Sequence, residues 1–260
     1  MFRIKPVNRF SILALLLWGS LAQAALHDRG NGLIYDDVLD VTWLQDANLA
    51  ATETFGVSGI STDGIIEDCD TAREWIDAMN AASYKGFSDW QLPGAEPVNG
   101  VSWNDQFSYD GSTDGSYNIS APGSAYPGTH AYPLAHLFYQ SLGNQGWYDV
   151  NGNRNVQGCP DDANGCLRNT GPIINLQPSF YYSSHGCGYL AMTIWSRQFD
   201  FHSGFQTLTP LELPHVLPYR PGDVPGARAV PVLSPWFLGA LGGLLLMLGG
   251  RRLLKTGKMG

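Results

Sequence analysis

The chain has 260 residues, 44% of them hydrophobic and 15% charged, with 31 glycines and 16 prolines. That is enough apolar material for a core and too little charge for a disordered chain, and no collagen period or heptad run is present. Seven of the 15 basic residues lie in the two termini, leaving eight against 23 acidic residues; a body near −15 lacks the basic contacts that phosphate or sulfate requires, so nucleic acid is excluded while cations and neutral sugars stay open.

Residues 1–24 have the parts of a secretory signal peptide: Arg3, Lys5 and Arg9, an apolar stretch from Phe10 to Leu17, and Ala22-Gln23-Ala24 as the cleavage pattern. The body, 25–224, opens with two strand-like runs, Leu33-Ile34-Tyr35 and Val41-Thr42-Trp43-Leu44, and then a loop over 52–67. Residues 71–82 predict a helix. Ala72, Trp75, Ile76 and Met79 recur on one face, Thr71 with Glu74 forms a capping box, and Gly86 ends the segment. A shorter helix is predicted near Leu134 to Leu142, with Leu134, Leu137, Phe138 and Leu142 on one face and Gly143 as its stop.

Between the helices lies a polar insertion, residues 94–130, and residues 144–170 form a second. Connections of this length are usually functional or poorly ordered. Strand-like runs follow at Phe180-Tyr181-Tyr182, Leu190 to Phe201 and Leu217-Pro218-Tyr219. Residues 225–235 are a Pro/Ala/Val linker, 236–250 an apolar segment read as transmembrane, and 251–260 a basic tail expected on the cytoplasmic side. At about 1.5 Å per residue the apolar segment reaches roughly 22 Å, so the flanking arginines must snorkel to complete a span.

The four cysteines, Cys69, Cys159, Cys166 and Cys187, all lie in the exported body, where oxidation is expected. Cys159 and Cys166 bracket a six-residue loop and are expected to pair locally, which leaves Cys69 for Cys187.

Several residues carry candidate chemistry. Asp149, Asn151 and Asn153 stand at alternate positions, as oxygen ligands of calcium do, and Asp161 follows closely. The alternative is a solvated Asx-rich turn, since Arg154 stands where a calcium loop wants glycine. No other cofactor is implied. Trp103-Asn104-Asp105 matches a calcium string of sugar-binding lectins but falls too early in the chain, and is read as chance. Aromatic rings stack on sugar faces, and the insertions supply Tyr109, Tyr117, Tyr126, Tyr132, Trp147 and Tyr148 as the candidate ligand-binding group. His185 beside Ser183, Ser184 and Cys187 has no motif of a nucleophilic enzyme around it, and His130, His136 and His202 are scattered, so no catalytic residue is assigned. In GFSDWQLP (86–93) the expectation is a turn at Gly86, backbone bonds from Asp89, and burial of Trp90 and Leu92.

Two resemblances add to this. The blocks GLIYDDVLDVTWLQDAN (32–48), GFSDWQLP (86–93), AHLFYQSLG (135–143), FYYSS (180–184), IWSRQFDFHSGFQ (194–206) and RPGDV (220–224) resemble, in that order, the exported bacterial proteins with the collagen-like adhesin (Lcl) C-terminal domain. That resemblance implies a single α+β domain of C-type-lectin-like fold, with two helices, small antiparallel sheets and long loops. It also implies surface attachment, sulfated glycans included; the acidic body works against the sulfated part. VPVLSPW (230–236), an apolar stretch and Arg251-Arg252 resemble the IPTL-CTERM and PEP-CTERM sorting tails, which implies delivery to the envelope and cleavage by a membrane protease. The expectation is therefore an exported envelope or surface protein that binds a glycan or matrix component without catalysis. The alternative is a structural envelope or biofilm-matrix module with no small ligand.

Overall fold

The computed structural model describes residues 26–185, 188–190, 193–210 and 213–224. The chain divides into a unit Met1–Asp223 and a unit Val224–Gly260, and Val224 is the one described residue of the second. The expected signal peptide, linker, apolar segment and basic tail lie outside the described residues. Among the described residues no helix is long and apolar enough to cross a membrane.

The opening segment forms three antiparallel strands, β1 (Leu26–Asp28), β2 (Leu33–Asp36) and β3 (Val41–Leu44). Gly30, Asn31 and Gly32 turn β1 into β2 with φ of 74°, 53° and 76°, a run of left-handed backbone that glycine and asparagine tolerate best. Ile34 and Trp43 point into the main core, and all three of Ile34, Trp43 and Leu44 are essentially inaccessible, Leu44 on the other face of the sheet. The fourth strand of this sheet is the last of the body, β10 (Tyr219–Pro221), which pairs antiparallel with β3. The closing run thus starts at Tyr219 rather than at Leu217; Leu217 is buried ahead of the strand.

Helix α1 (Cys69–Ala81) begins two residues before its expected start. Its N-cap is the Asp68 carboxylate, which accepts from the Thr71 N–H at 2.7 Å. Thr71 is therefore the third residue of the helix, and the expected Thr71–Glu74 capping box is corrected to an Asp68 cap. The predicted face is buried: Ala72, Trp75, Ile76 and Met79, joined by Cys69. Asn80 brackets the next block, donating from Nδ2 to the Trp90 carbonyl (2.9 Å) and accepting the Trp90 N–H (2.8 Å). Trp90 and Leu92 are buried as expected. Asp89 does not serve nearby backbone; it binds Arg220 of β10 through both carboxylate oxygens, at 2.9 and 3.0 Å.

The second helix starts at Pro133, whose fixed φ suits a first helical turn. Helix α2 (Pro133–His136) then widens into a π-helical turn, Leu137–Ser141, in which the Leu142 N–H reaches back to the Leu137 carbonyl. Leu134, Leu137, Phe138 and Leu142 are all buried, and Gly143, at φ 68°, ends the helix.

Two short strands of the first insertion, β4 (Phe107–Ser108) and β5 (Gly115–Ser116), pair in parallel, and the other large sheet is built on β8 (Thr193–Asp200). Strands β6 (Phe180–Tyr182) and β7 (Gly188–Leu190) pair with its two ends, and β9 (Phe205–Pro210) pairs along it. The run expected from Leu190 to Phe201 is thus two strands, and β9 is a strand that the reading of the sequence missed. A core of edge-packed rings joins this sheet to the π-helical turn: Phe138 meets Phe199 at 5.4 Å and Phe201 at 5.7 Å, and Tyr181 meets Phe201 at 5.1 Å. The fold is mixed α+β. Cys159 and Cys166 form the expected local disulfide. Cys69 is also disulfide-bonded, and Cys187 lies outside the described residues.

Two outcomes follow from these contacts. Asp89→Ala strands the Arg220 guanidinium, whose side chain is only 10% exposed, and is expected to cost about 2 kcal/mol in urea unfolding. Burial holds His136 and His215 below the usual 6.5. Their folded state favours the neutral ring, so the stability they contribute is present above that value and lost as pH falls through the depressed ones. The urea midpoint is expected to fall from about pH 7 to about pH 5, and His215→Gln to flatten the slope.

Candidate functional site

The two insertions are ordered by side chains that do the work of missing ladder bonds. Asp114 is fully buried. Its carboxylate accepts from Val98 N–H (2.9 Å), Asn104 N–H (2.7 Å) and the Tyr132 hydroxyl (2.9 Å). The same hydroxyl lies 3.3 Å from Arg197 of β8, which binds Asp105 at 2.6 and 3.2 Å. The Trp103 ring covers that guanidinium at 3.8 Å, and the exposed His185 lies tilted against it at 5.6 Å between ring centres. Trp103-Asn104-Asp105 is thus a clamp on a buried arginine. Tyr132, at 1% exposure, belongs to this network and not to a ligand surface; burial pushes its phenol above the usual range, although Arg197 pulls the other way.

Asn118 joins the first insertion to the second. At φ 59° it donates from Nδ2 to the carbonyls of Tyr109 (2.7 Å) and Tyr148 (2.9 Å). Its own N–H goes to the Tyr139 hydroxyl, which donates to the Gly204 carbonyl. Three of the candidate tyrosines meet as a result. Tyr109 lies 5.0 Å from Tyr148 and stacks at 6.2 Å on Tyr117, and Tyr117 lies 5.1 Å from Tyr148. Phe107 and Phe205 complete the group, at 4.7 Å from Tyr109 and from Tyr117 respectively. Tyr117 is the buried floor, its phenol pushed up to about 12 by burial. Phe107 and Tyr109 are the outer rim, 56% and 36% exposed.

Beside Tyr148 opens a cleft of about 870 Å³ between residues 118–128 and residues 139–155. Gln140, Asn144 and Gln145 line one wall and Asn118 and Asn155 add amides. Asn144 is consumed by the chain, accepting from Arg168 and Asn169 N–H groups and donating to the Asn169 carbonyl. Gln140 donates to the Ser120 carbonyl and Gln145 accepts from Asn155. Among the described residues, the Gln140 carbonyl, the Gln145 amino group and the Tyr148 hydroxyl have no partner.

The remaining candidates fall elsewhere. Tyr126 is 37% exposed and touches none of these rings. Trp147 packs between Arg154 (5.1 Å) and His202 (5.4 Å) as framework of the second insertion. Asp149, Asn151 and Asn153 do share one turn, but the turn closes on itself. The Asp149 carboxylate accepts both N–H groups and the Asn153 amide, and this bonding, Asn153 first, holds it below the usual carboxylate range. Asp161 is held by Arg154 at 2.6 Å instead. Among the described residues no group of three or more His, Cys, Asp or Glu side chains is placed to hold a metal ion. Ser183 is buried, and Cys187 lies outside the described residues.

Sequence reasoning missed Phe107, Phe205 and the amides of Gln140 and Gln145. Phe107 was within reach, because it precedes Tyr109 by two and so shares its face in an extended segment. No known protein family, curated protein or solved structure matches this chain.

Asn118→Ala removes a donor from two carbonyls and places a Cβ-bearing residue without a compensating side-chain bond at positive φ. It is expected to cost about 2 kcal/mol. Hydrogen exchange is expected to rise across 107–118 and 146–150 while α1 stays protected.

Proposed function

We propose that this chain is an exported envelope or surface protein whose body, of C-type-lectin-like fold, binds a glycan or matrix component and does not transform it. The observation that carries the reading is the cleft beside Tyr148, continuous in chain and contact with the exposed rings of Phe107 and Tyr109. Aromatic faces stack on the C–H faces of sugars, and amides bond their hydroxyls in pairs. The resemblance to the Lcl C-terminal domain supports both the adhesive role and the lectin-like arrangement of two helices, small sheets and long loops. The signal-like start and the sorting-like tail support export to the envelope, with residues 236–250 as a membrane segment until an envelope protease cuts. Calcium has no part in this reading, because Asp149 and Asp161 are occupied by partners within the chain.

The full chain, oxidised and held in mild detergent, is expected to be retained by at least one polysaccharide in a panel of immobilised glycans. Tyr109→Ala with Tyr148→Ala is expected to abolish retention while the thermal midpoint stays within a few degrees of the parent. Retention by no glycan, or retention that the double variant leaves intact, would overturn the reading.

A further inference from the structure

The charge around the cleft narrows the ligand. Each arginine of the described residues is bound to an aspartate: Arg29 to Asp223, Arg73 to Asp70, Arg154 to Asp161, Arg168 to Asp162, Arg197 to Asp105 and Arg220 to Asp89. Lys85 lies against the Tyr84 ring, on another part of the body. No cation lines the cleft, and its one charged side chain is Asp149. The polar atoms left for a ligand include neutral ones of both kinds: an acceptor on Gln140, a donor on Gln145, and the Tyr148 hydroxyl, which is either. A sugar hydroxyl, donor and acceptor at once, matches that set; a sulfate or carboxylate, acceptor only and charged, does not. The volume, about 870 Å³, lies in the upper part of the roughly 300–1,000 Å³ range of ligand pockets, and the exposed rings extend it outward.

Resting on the glycan-binding reading, we infer that the site takes an uncharged polysaccharide chain, seated in the cleft at Gln140, Gln145 and Tyr148 and running out over Tyr109 and Phe107. The arginine–aspartate pairs of the second insertion act as a selectivity device. Arg154 and Arg168, with side chains 28% and 45% exposed, are the arginines of the second insertion, and Asp161 and Asp162 pair with them. Discrimination against the wrong ligand is thereby built in as charge already spent.

The test is affinity electrophoresis of the full chain in native gels containing a neutral glucan, a neutral galactomannan, heparin or polygalacturonate. A neutral polymer is expected to retard the chain equally from about 0.05 to about 0.5 M salt, because no counterion is released on binding. Heparin and polygalacturonate are expected to bind at least roughly tenfold more weakly. Asp161→Asn with Asp162→Asn is expected to gain salt-sensitive retardation by heparin. Preference of the parent chain for an acidic polymer would overturn this inference and leave the glycan-binding reading standing. Retardation by none of the four would overturn both. A double variant that folds with its parent's thermal midpoint but gains nothing on heparin would overturn the selectivity device.

Discussion

A backbone polar group taken from water must find a partner, and in this chain much of the backbone lies outside helices and long strands. The structure answers with short side chains. Asp114 gathers two N–H groups and a phenol, Asn118 spans two carbonyls of different insertions, Asn144 both accepts and donates, and Asp68 caps α1. Each is a residue that favours turns and disfavours regular elements, for the same chemical reason. The high content of Gly, Asn, Asp and Ser that reads as looseness in the sequence is therefore the means by which the insertions become ordered. It also decides where the tyrosines go, because Asn118 holds Tyr109 and Tyr148 at adjoining backbone positions.

The acidic composition has a second side. An excess of carboxylates raises self-repulsion, which is weakened where carboxylates are hydrogen-bonded or paired. Six of them are paired with the six described arginines, and others, such as Asp36, Asp46, Asp110 and Asp149, accept N–H groups of their own turns. The arginines that sit deepest, Arg197 and Arg220, link segments far apart in sequence: Asp105 to β8, and Asp89 to β10. Charge pairs here act as long-range staples more than as surface decoration.

Local features were legible in the sequence to the extent that they were periodic. The buried face of α1 and that of the helix after Pro133 followed from 3.6-residue spacing, and β2, β3 and β6 from short apolar runs. The local disulfide followed from spacing. What was not legible depended on partners remote in sequence. Asp89 carries no sign that its partner is Arg220, and Tyr132 looks like its neighbours until Asp114 and Arg197 converge on it. The strand Phe205–Pro210 was missed because polar residues interrupt its apolar pattern: the buried position is Gln206, and Thr207 and Thr209 alternate with it and Leu208. Of the six aromatic candidates, three come together at Tyr148, and the reason is Asn118, a residue with no apparent chemistry of its own.

The first sheet has the strand order β1-β2-β3-β10, so the first and last strands of the body are the two edges of one sheet, and Arg29 is bound to Asp223 across 194 residues. Such closure is non-local to the limit of the chain, and loop-closure entropy must be met before these contacts form. The sheet stays incomplete until Tyr219 to Asp223 have left the ribosome. A growing chain of this design cannot complete its first sheet ahead of the synthesis of its last strand.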